Sequence, residues 1–108
     1  MMELLQYNEL DPGRNRAAFE RVCGALRAGD FRAAHVKKLS PGPYYRAELS
    51  ASDRLIFAFG ACAGRTCILL LEIVANHAYE KSRFLRGAAV NESRLQPVDA
   101  PPAAPSVS

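Results

Sequence analysis

Residues 66–83, TCILLLEIVANHAYEKSR, join an apolar run to a cluster of polar and titratable side chains. The run Ile68–Val74 is too short to cross a membrane, which takes about 20 apolar residues. Its Ile and Val content favours a strand that is buried on both faces. The polar cluster follows at once: Asn76, His77, Tyr79, Glu80, Lys81 and Arg83. Because function often lies where a buried strand ends and a loop begins, this junction is the first candidate site.

The composition indicates one domain with a small basic excess. A chain of 108 residues can bury one hydrophobic core but not two. Fourteen Lys and Arg against eleven Asp and Glu give a net charge of +3, which permits an anionic partner without requiring one. The start of the chain lacks a basic leader followed by a long apolar segment, so we expect a cytoplasmic protein without membrane association.

Cysteine spacing and the composition of the last residues give two further expectations. The three cysteines, Cys23, Cys62 and Cys67, lack CxxC spacing and a histidine cluster, which argues against a zinc site. We expect reduced, buried thiols, with no metal and no cofactor. Residues 95–108 are rich in Pro and Ala, which predicts a linker or a disordered tail after a domain of residues 1–94.

The first part of the chain predicts two helices. Asp11 is a suitable N-cap, and Pro12 suits the first helical position. Gly29 predicts the end of the first helix, and Asp30 predicts the start of a second one over residues 31–38. Between them an apolar stripe repeats at helical spacing: Phe19, Val22, Cys23 and Leu26.

Alternating apolar residues predict the sheet. We expect a short edge strand within residues 2–10, two half-buried strands over residues 44–50 and 54–59, and the buried strand over residues 68–74. A short C-terminal helix or turn within residues 77–86 would dock Phe84 onto the core. The predicted fold is therefore α+β, with a small antiparallel sheet of about four strands and two N-terminal helices on one face.

The other face of this sheet is expected to be open and charged. Arg46, Glu48 and Arg54 occupy the alternate strand positions whose side chains point away from the helices. Glu72 has the parity of Ile68 in the buried strand, and we expect it to meet Arg46 or Arg54 because an unpaired buried carboxylate is costly.

Three segments resemble the RelE/ParE toxin superfamily, small endoribonucleases or gyrase poisons that pair with antitoxins. They are KKLSPGPYYRAEL (37–49), DRLIF (53–57) and LLLEIVANHAY (69–79). The resemblance spans about residues 11–83. The positions that match the basic, hairpin and last-strand positions of the family are Lys38, Leu39, Arg46, Arg54 to Phe57, His77 and Tyr79. The resemblance implies a metal-independent mRNA interferase, with an antitoxin protein and RNA or the ribosome as partners.

A second resemblance implies a different function. The segment NHAYEKSRFLRG (76–87) is similar to the end of RelE-like domains placed ahead of superfamily 1 helicase-type domains. This implies a non-catalytic nucleic-acid or protein-binding module, with a further domain joined after the Pro-rich tail. Glu48, Asp53 and Phe57 differ from residues that are frequent at these positions in the ribonucleases, which favours this alternative.

Metal-free RNA cleavage needs a base for the 2′-hydroxyl, cations for the phosphate and an acid for the leaving oxygen. Glu48 or His77 would be the base, Arg46 and Arg54 the phosphate clamp, and His77 or Tyr79 the acid. The predicted catalytic residues are Glu48, Arg54, His77 and Tyr79. The predicted RNA-binding residues are Arg46, Lys38, Lys81 and Arg83.

Each of these residues also has a structural interpretation. Arg46 and Glu48 can form an ordinary ion pair on one face, and Arg54 can neutralise Glu72. The remaining candidates can serve as loop, core-rim or solvated residues: His77, Tyr79, Lys81 and Arg83.

Overall fold

The structure is a computed structural model that describes residues 2–39 and 42–98. Within these ranges, one mixed sheet and one α-helix form the fold. The strands run in the spatial order β2-β3-β4-β5-β1-β6. Their bounds are β1 Glu3–Tyr7, β2 Lys37–Lys38, β3 Tyr44–Glu48, β4 Arg54–Cys62, β5 Arg65–Val74 and β6 Leu95–Pro97. The helix α1 is Arg16–Arg27, and a 3-10 turn, Gly13–Asn15, precedes it.

The prediction of a four-stranded antiparallel sheet is wrong, because the sheet has six strands and is mixed. β1 lies inside the sheet, parallel to β5 and antiparallel to β6, and not at an edge as predicted. Leu4 and Tyr7 are both buried although their parity differs, so both faces of β1 are covered. β6 consists of residues assigned to the predicted tail, and residues 99–108 of that tail lie outside the described residues.

The helix α1 has the predicted core face and the predicted end. Its stripe Phe19, Val22, Cys23 and Leu26 is buried against Leu55, Phe57, Ile68 and Leu70 of the sheet. Gly29 adopts a φ of 76°, and its N–H donates to the Leu26 carbonyl at 3.0 Å. This is the left-handed C-terminal cap that the glycine predicts. At the other end, Asp11 accepts from the Gly13 N–H at 3.0 Å, and the α-helix begins only at Arg16.

The predicted second helix, residues 31–38, is absent from the described chain and is replaced by turns and by strand β2. His35 has a φ of 52°, which a continuing α-helix does not allow. The Ala34 carbonyl accepts from the Glu48 N–H of β3 at 3.0 Å. Pairing with the sheet edge therefore overrides the local helix signal of Asp30.

The face opposite α1 is covered, so the prediction of an open face is wrong for this part of the sheet. Tyr7, Ala58 and Leu71 form a second apolar cluster with Phe84, which is 1% exposed. The predicted docking of Phe84 is confirmed. Instead of a short C-terminal helix, the chain forms two 3-10 turns, Ala75–His77 and Tyr79–Lys81. Asn76, at a φ of 55°, interrupts any helical continuation.

A β-bulge changes the direction of Glu72. Ile56 pairs with Glu72, but the next residue, Phe57, pairs with Leu70, so Leu71 is an extra residue in β5. Leu71 consequently packs in the cluster opposite α1, whereas Leu70 packs under α1. The carboxylate of Glu72 accepts a hydrogen bond from the Ser82 hydroxyl. The predicted pairing of Glu72 with an arginine is therefore wrong.

The β4–β5 hairpin contains a disulfide between Cys62 and Cys67, whose Cα atoms are 6.0 Å apart. The expectation of three reduced thiols is wrong for this pair, while Cys23 is buried as expected. The two strands extend further than predicted because Ala63 and Gly64 both adopt positive φ, as a tight two-residue turn requires. Among the described residues, no helix is long and apolar enough to cross a membrane.

Candidate functional site

Three of the predicted site residues meet where β3 ends and β4 begins. Arg46 and Glu48 are two residues apart on β3 and therefore point to the same side. Glu48 is the register partner of Arg54 across the β3–β4 pair. Arg46 Nη1 lies 2.9 Å from Glu48 Oε2, and Arg54 Nη2 lies 3.9 Å from the same oxygen. One carboxylate is therefore shared by two guanidinium groups.

Arg54 is occupied by the protein itself. Its side chain is 7% exposed, and its Nη1 donates to the Ser50 carbonyl at 2.8 Å and to the Asp53 carbonyl at 3.1 Å. Its Nε is buried without a hydrogen-bond partner in residues 2–39 and 42–98. These contacts fix the turn between β3 and β4. A phosphate clamp would have to reach a guanidinium that the turn already surrounds.

Glu48 is held in its ionised form. The hydrogen bond from Arg46, together with the positive charge of Arg54, keeps the pKa of the Glu48 carboxyl below its usual value. A general base works best when its pKa lies near the working pH, so a carboxylate with a lowered pKa is a weak base. Arg46 is also bound by groups of the protein itself. Its side chain is 12% exposed, and its Nη1 donates a hydrogen bond to the His35 carbonyl at 3.2 Å.

A buried carboxylate lies beside this group. Asp53, which is 2% exposed, accepts from Arg14 Nη2 at 3.1 Å and from Asn15 Nδ2 at 2.9 Å. It also accepts from the Asn76 N–H at 3.3 Å and the Ser52 hydroxyl at 3.1 Å. These hydrogen bonds, with that from Asn15 the largest, lower its pKa from 3.8 to about 2. Asp53 thus joins the start of α1, the β3–β4 turn and the end of β5.

The predicted residues after β5 are less closely grouped with the arginines. Val74, the last residue of β5, is the register partner of Arg54, so the turns that follow begin near the arginine pair. Tyr79 is half-buried. Lys81 is exposed, and together with Glu72 it lines a cavity of about 280 Å³. His77 belongs to the first 3-10 turn, and its side chain lies outside the described part of the structure.

Arg83, which was predicted to bind RNA, is engaged in contacts that hold the C-terminal segment. Its Nη2 lies 3.1 Å from Glu9 Oε1, and its guanidinium lies over the rings of Tyr7 and Phe84 at 5.5 and 5.0 Å from their centroids. Glu9 also pairs with Arg94, and the hydrogen bonds from Arg94 and Arg83 lower the pKa of Glu9. This network ties residues 83–94 to the loop after β1.

Three of the exposed cations lie at or next to the β2 edge. Lys37 and Lys38 are both exposed, and β2 pairs with β3 on one side only in the described sheet. Arg32, in the turn before β2, is exposed as well. This edge therefore presents three cations to solvent, whereas Arg46 and Arg54 are mostly buried.

Residues 2–39 and 42–98 contain no group of three or more His, Cys, Asp and Glu that could hold a metal ion. Comparison with protein-family models, with curated proteins and with solved structures finds no match.

Two residues with important contacts escaped prediction. Asp53 lies in the turn sequence SASD, and an aspartate in such a turn is usually solvated. Ser82, which is 1% exposed, donates to Glu72 and accepts from the Leu85 N–H at 3.3 Å. For Asp53 the sequence contains one signal: Ser50 and Ser52 flank the turn and can fix its backbone. In the structure, Ser50 Oγ accepts a hydrogen bond from the Asp53 N–H at 3.0 Å.

Proposed function

We propose that this chain is a nucleic-acid-binding module that does not cleave its ligand, of the kind that RelE-like domains form ahead of helicase-type domains. The observation that carries the proposal is the division of the candidate cations into buried arginines at the β3–β4 turn and exposed lysines at the β2 edge. Arg46 and Arg54 are mostly buried, and they are engaged with a carboxylate and with backbone carbonyl groups. The β2-edge cations Lys37 and Lys38 are exposed.

The division favours binding over catalysis for a physical reason. Exposed Lys and Arg can neutralise backbone phosphates and release counterions, which supplies most of the non-specific affinity for nucleic acids. Catalysis needs in addition a base with a suitable pKa and cations that reach the reacting phosphate. Here the candidate base, Glu48, has a lowered pKa, and its two arginine neighbours are mostly buried.

A second candidate function is the RelE-like endoribonuclease, an mRNA interferase controlled by an antitoxin protein. One observation favours it: the side chain of Glu48 is 35% exposed and lies between two arginines. A carboxylate flanked by guanidinium groups is a usable arrangement for phosphoryl chemistry if RNA or the ribosome displaces one arginine from it.

The test measures binding and cleavage on the same probes. Fluorescently labelled 12-nucleotide RNA and DNA strands are titrated with the protein at several salt concentrations, and the RNA is then run on a denaturing gel. We expect binding that weakens steeply as salt rises, with the RNA intact. RNA fragments that disappear in the Glu48→Gln variant would instead establish the endoribonuclease. Failure to bind either strand at 50 mM salt would overturn both functions for the isolated chain.

A charge variant locates the binding surface. Lys38→Gln removes one exposed cation from the β2 edge, so the plot of log affinity against log salt should become shallower by about one. Arg21→Gln is the matched control, because it removes one exposed cation from α1, away from this edge. Equal effects of both variants would show that the β2 edge is not the interface.

A further inference from the structure

A cleft of about 500 Å³ lies between the turn that precedes β2 and the strand β3. This volume is within the range of small-ligand sites. The cleft combines two apolar side chains, three cations, an imidazole and one carboxylate. They are, in that order, Phe31 and Val36; Arg32, Lys37 and Arg46; His35; and Glu48.

The turn that forms one wall is held in place by specific contacts. The Ala34 carbonyl accepts from the Glu48 N–H at 3.0 Å, and the His35 carbonyl accepts from Arg46 Nη1 at 3.2 Å. His35 is kept at a φ of 52°, which costs energy for a residue with a side chain. This strained backbone puts the imidazole on the cleft wall, although the sequence had given no reason to select His35.

The aromatic wall is held by a series of ring contacts. The ring of Phe31 packs edge to face on that of Phe59, with centroids 5.9 Å apart and an angle of 87°. Phe59 packs in the same way on Tyr45, at 5.1 Å, and Tyr45 stacks on the buried Phe57. Phe31 is half-buried and lies at the outer end of this series. A ring fixed in this way can receive a nucleobase with little loss of side-chain entropy.

The charge of the cleft suits a phosphate. Its carboxylate, Glu48, is already paired with Arg46 at 2.9 Å, and Arg54 is 3.9 Å away. Arg32 and Lys37 are exposed on the same cleft. A phosphate group therefore meets two available cations and no unpaired carboxylate among the lining residues.

We infer that this cleft binds one nucleotide of a single-stranded nucleic acid, with the base on Phe31 and a flanking phosphate between Arg32 and Lys37. This inference rests on the proposed nucleic-acid-binding function and specifies its ligand. A duplex is a poor ligand, because its bases are stacked and paired and cannot reach Phe31. The ligand is a strand and not a free nucleotide, since Lys38 adds an exposed cation outside the cleft, on the other face of the same sheet edge.

The test compares two substitutions at Phe31. Phe31→Leu keeps an apolar side chain but removes the ring face, whereas Phe31→Tyr keeps it. The probes are labelled 12-nucleotide oligothymidylate and oligouridylate strands, a 12-base-pair duplex and thymidine monophosphate. We expect Phe31→Leu to weaken binding of at least one strand about tenfold and Phe31→Tyr to stay within about twofold of the wild type. Affinity for the duplex should be the same in all three proteins.

Two further variants report on the phosphate. Arg32→Gln should make the salt dependence of strand binding shallower by about one, while Arg21→Gln should leave it unchanged. Circular dichroism and thermal melting confirm that each variant is folded.

The outcomes separate the two proposals. If the wild type binds no strand, the nucleic-acid-binding function fails. If the wild type binds strands but Phe31→Leu and Arg32→Gln bind as it does, the function stands and the cleft inference is overturned. Thymidine monophosphate binding as tightly as the strand would also overturn it, because the cleft would then serve a free nucleotide.

Discussion

Replacing Asp53 with asparagine tests whether one buried carboxylate joins three parts of the fold. The side chain accepts hydrogen bonds from the turn before α1, from its own turn and from the end of β5. Its pKa is lowered from 3.8 to about 2. Since one pKa unit corresponds to about 1.4 kcal/mol, the ionised carboxylate stabilises the folded state by about 2 kcal/mol at neutral pH.

The sign of the pH dependence follows from the lowered pKa. The stabilisation is fully present above the unfolded pKa of 3.8 and is lost as the pH falls through about 2. Urea denaturation of the wild type and of Asp53→Asn should therefore differ by about 2 kcal/mol at pH 7 and by much less at pH 2. Groups that titrate equally in both proteins cancel in this difference.

Glu20→Gln is the control for this experiment, because Glu20 is an exposed carboxylate on α1. Its effect should stay within about 0.5 kcal/mol at every pH. The reasoning would be refuted by an Asp53→Asn protein as stable as the wild type at pH 7, or by a difference that does not change between pH 7 and pH 2.

Three other predictions concern the core, the β3–β4 group and the β4–β5 hairpin. Leu26→Ala, at a fully buried position of α1, should lower the free energy of unfolding by about 2–5 kcal/mol in urea denaturation; a loss below about 1 kcal/mol would contradict the packing described. Arg54→Lys should lower the free energy of unfolding by about 2 kcal/mol, because lysine cannot reproduce the contacts to two carbonyl groups. A variant as stable as the wild type in urea denaturation would contradict these contacts. Reduction of the Cys62–Cys67 disulfide, which joins residues five apart, should lower the free energy of unfolding by about 2 kcal/mol; peptide mapping without reductant would contradict the pairing if it found both thiols free.

The sequence predicted those elements whose signals are local. The stripe from Phe19 to Leu26 and the left-handed Gly29 each depend on a few neighbouring residues, and both are found in the structure. The predicted second helix is absent because the interaction that replaces it is distant in sequence. The Glu48 N–H donates to the Ala34 carbonyl, and this pairing with β3 outweighs the helix cap at Asp30. The strand β1 was predicted, but its edge position is wrong for the same reason, since its partner strands lie about 60 and 90 residues away.

The candidate site was partly predictable. The alternation of β3 places Arg46 and Glu48 together, and the hairpin register adds Arg54. Sequence could not show that these arginines are mostly buried, because burial depends on how the turn around Ser50 wraps the side chain. It also missed the direction of Glu72, which one extra residue in β5 reverses. A bulge leaves no reliable mark in a single sequence.

The parallel pairing of β1 with β5 has a consequence for synthesis on the ribosome. Glu3 pairs with Cys67, so β1 cannot pair with β5 until more than 60 further residues have been synthesised. At roughly 5–20 residues per second, this wait lasts several seconds. Meanwhile the meander of β3, β4 and β5 can form first, because its contacts are close in sequence. The nascent chain therefore carries an unprotected apolar segment around Leu4 and Leu5 until that segment pairs with β5.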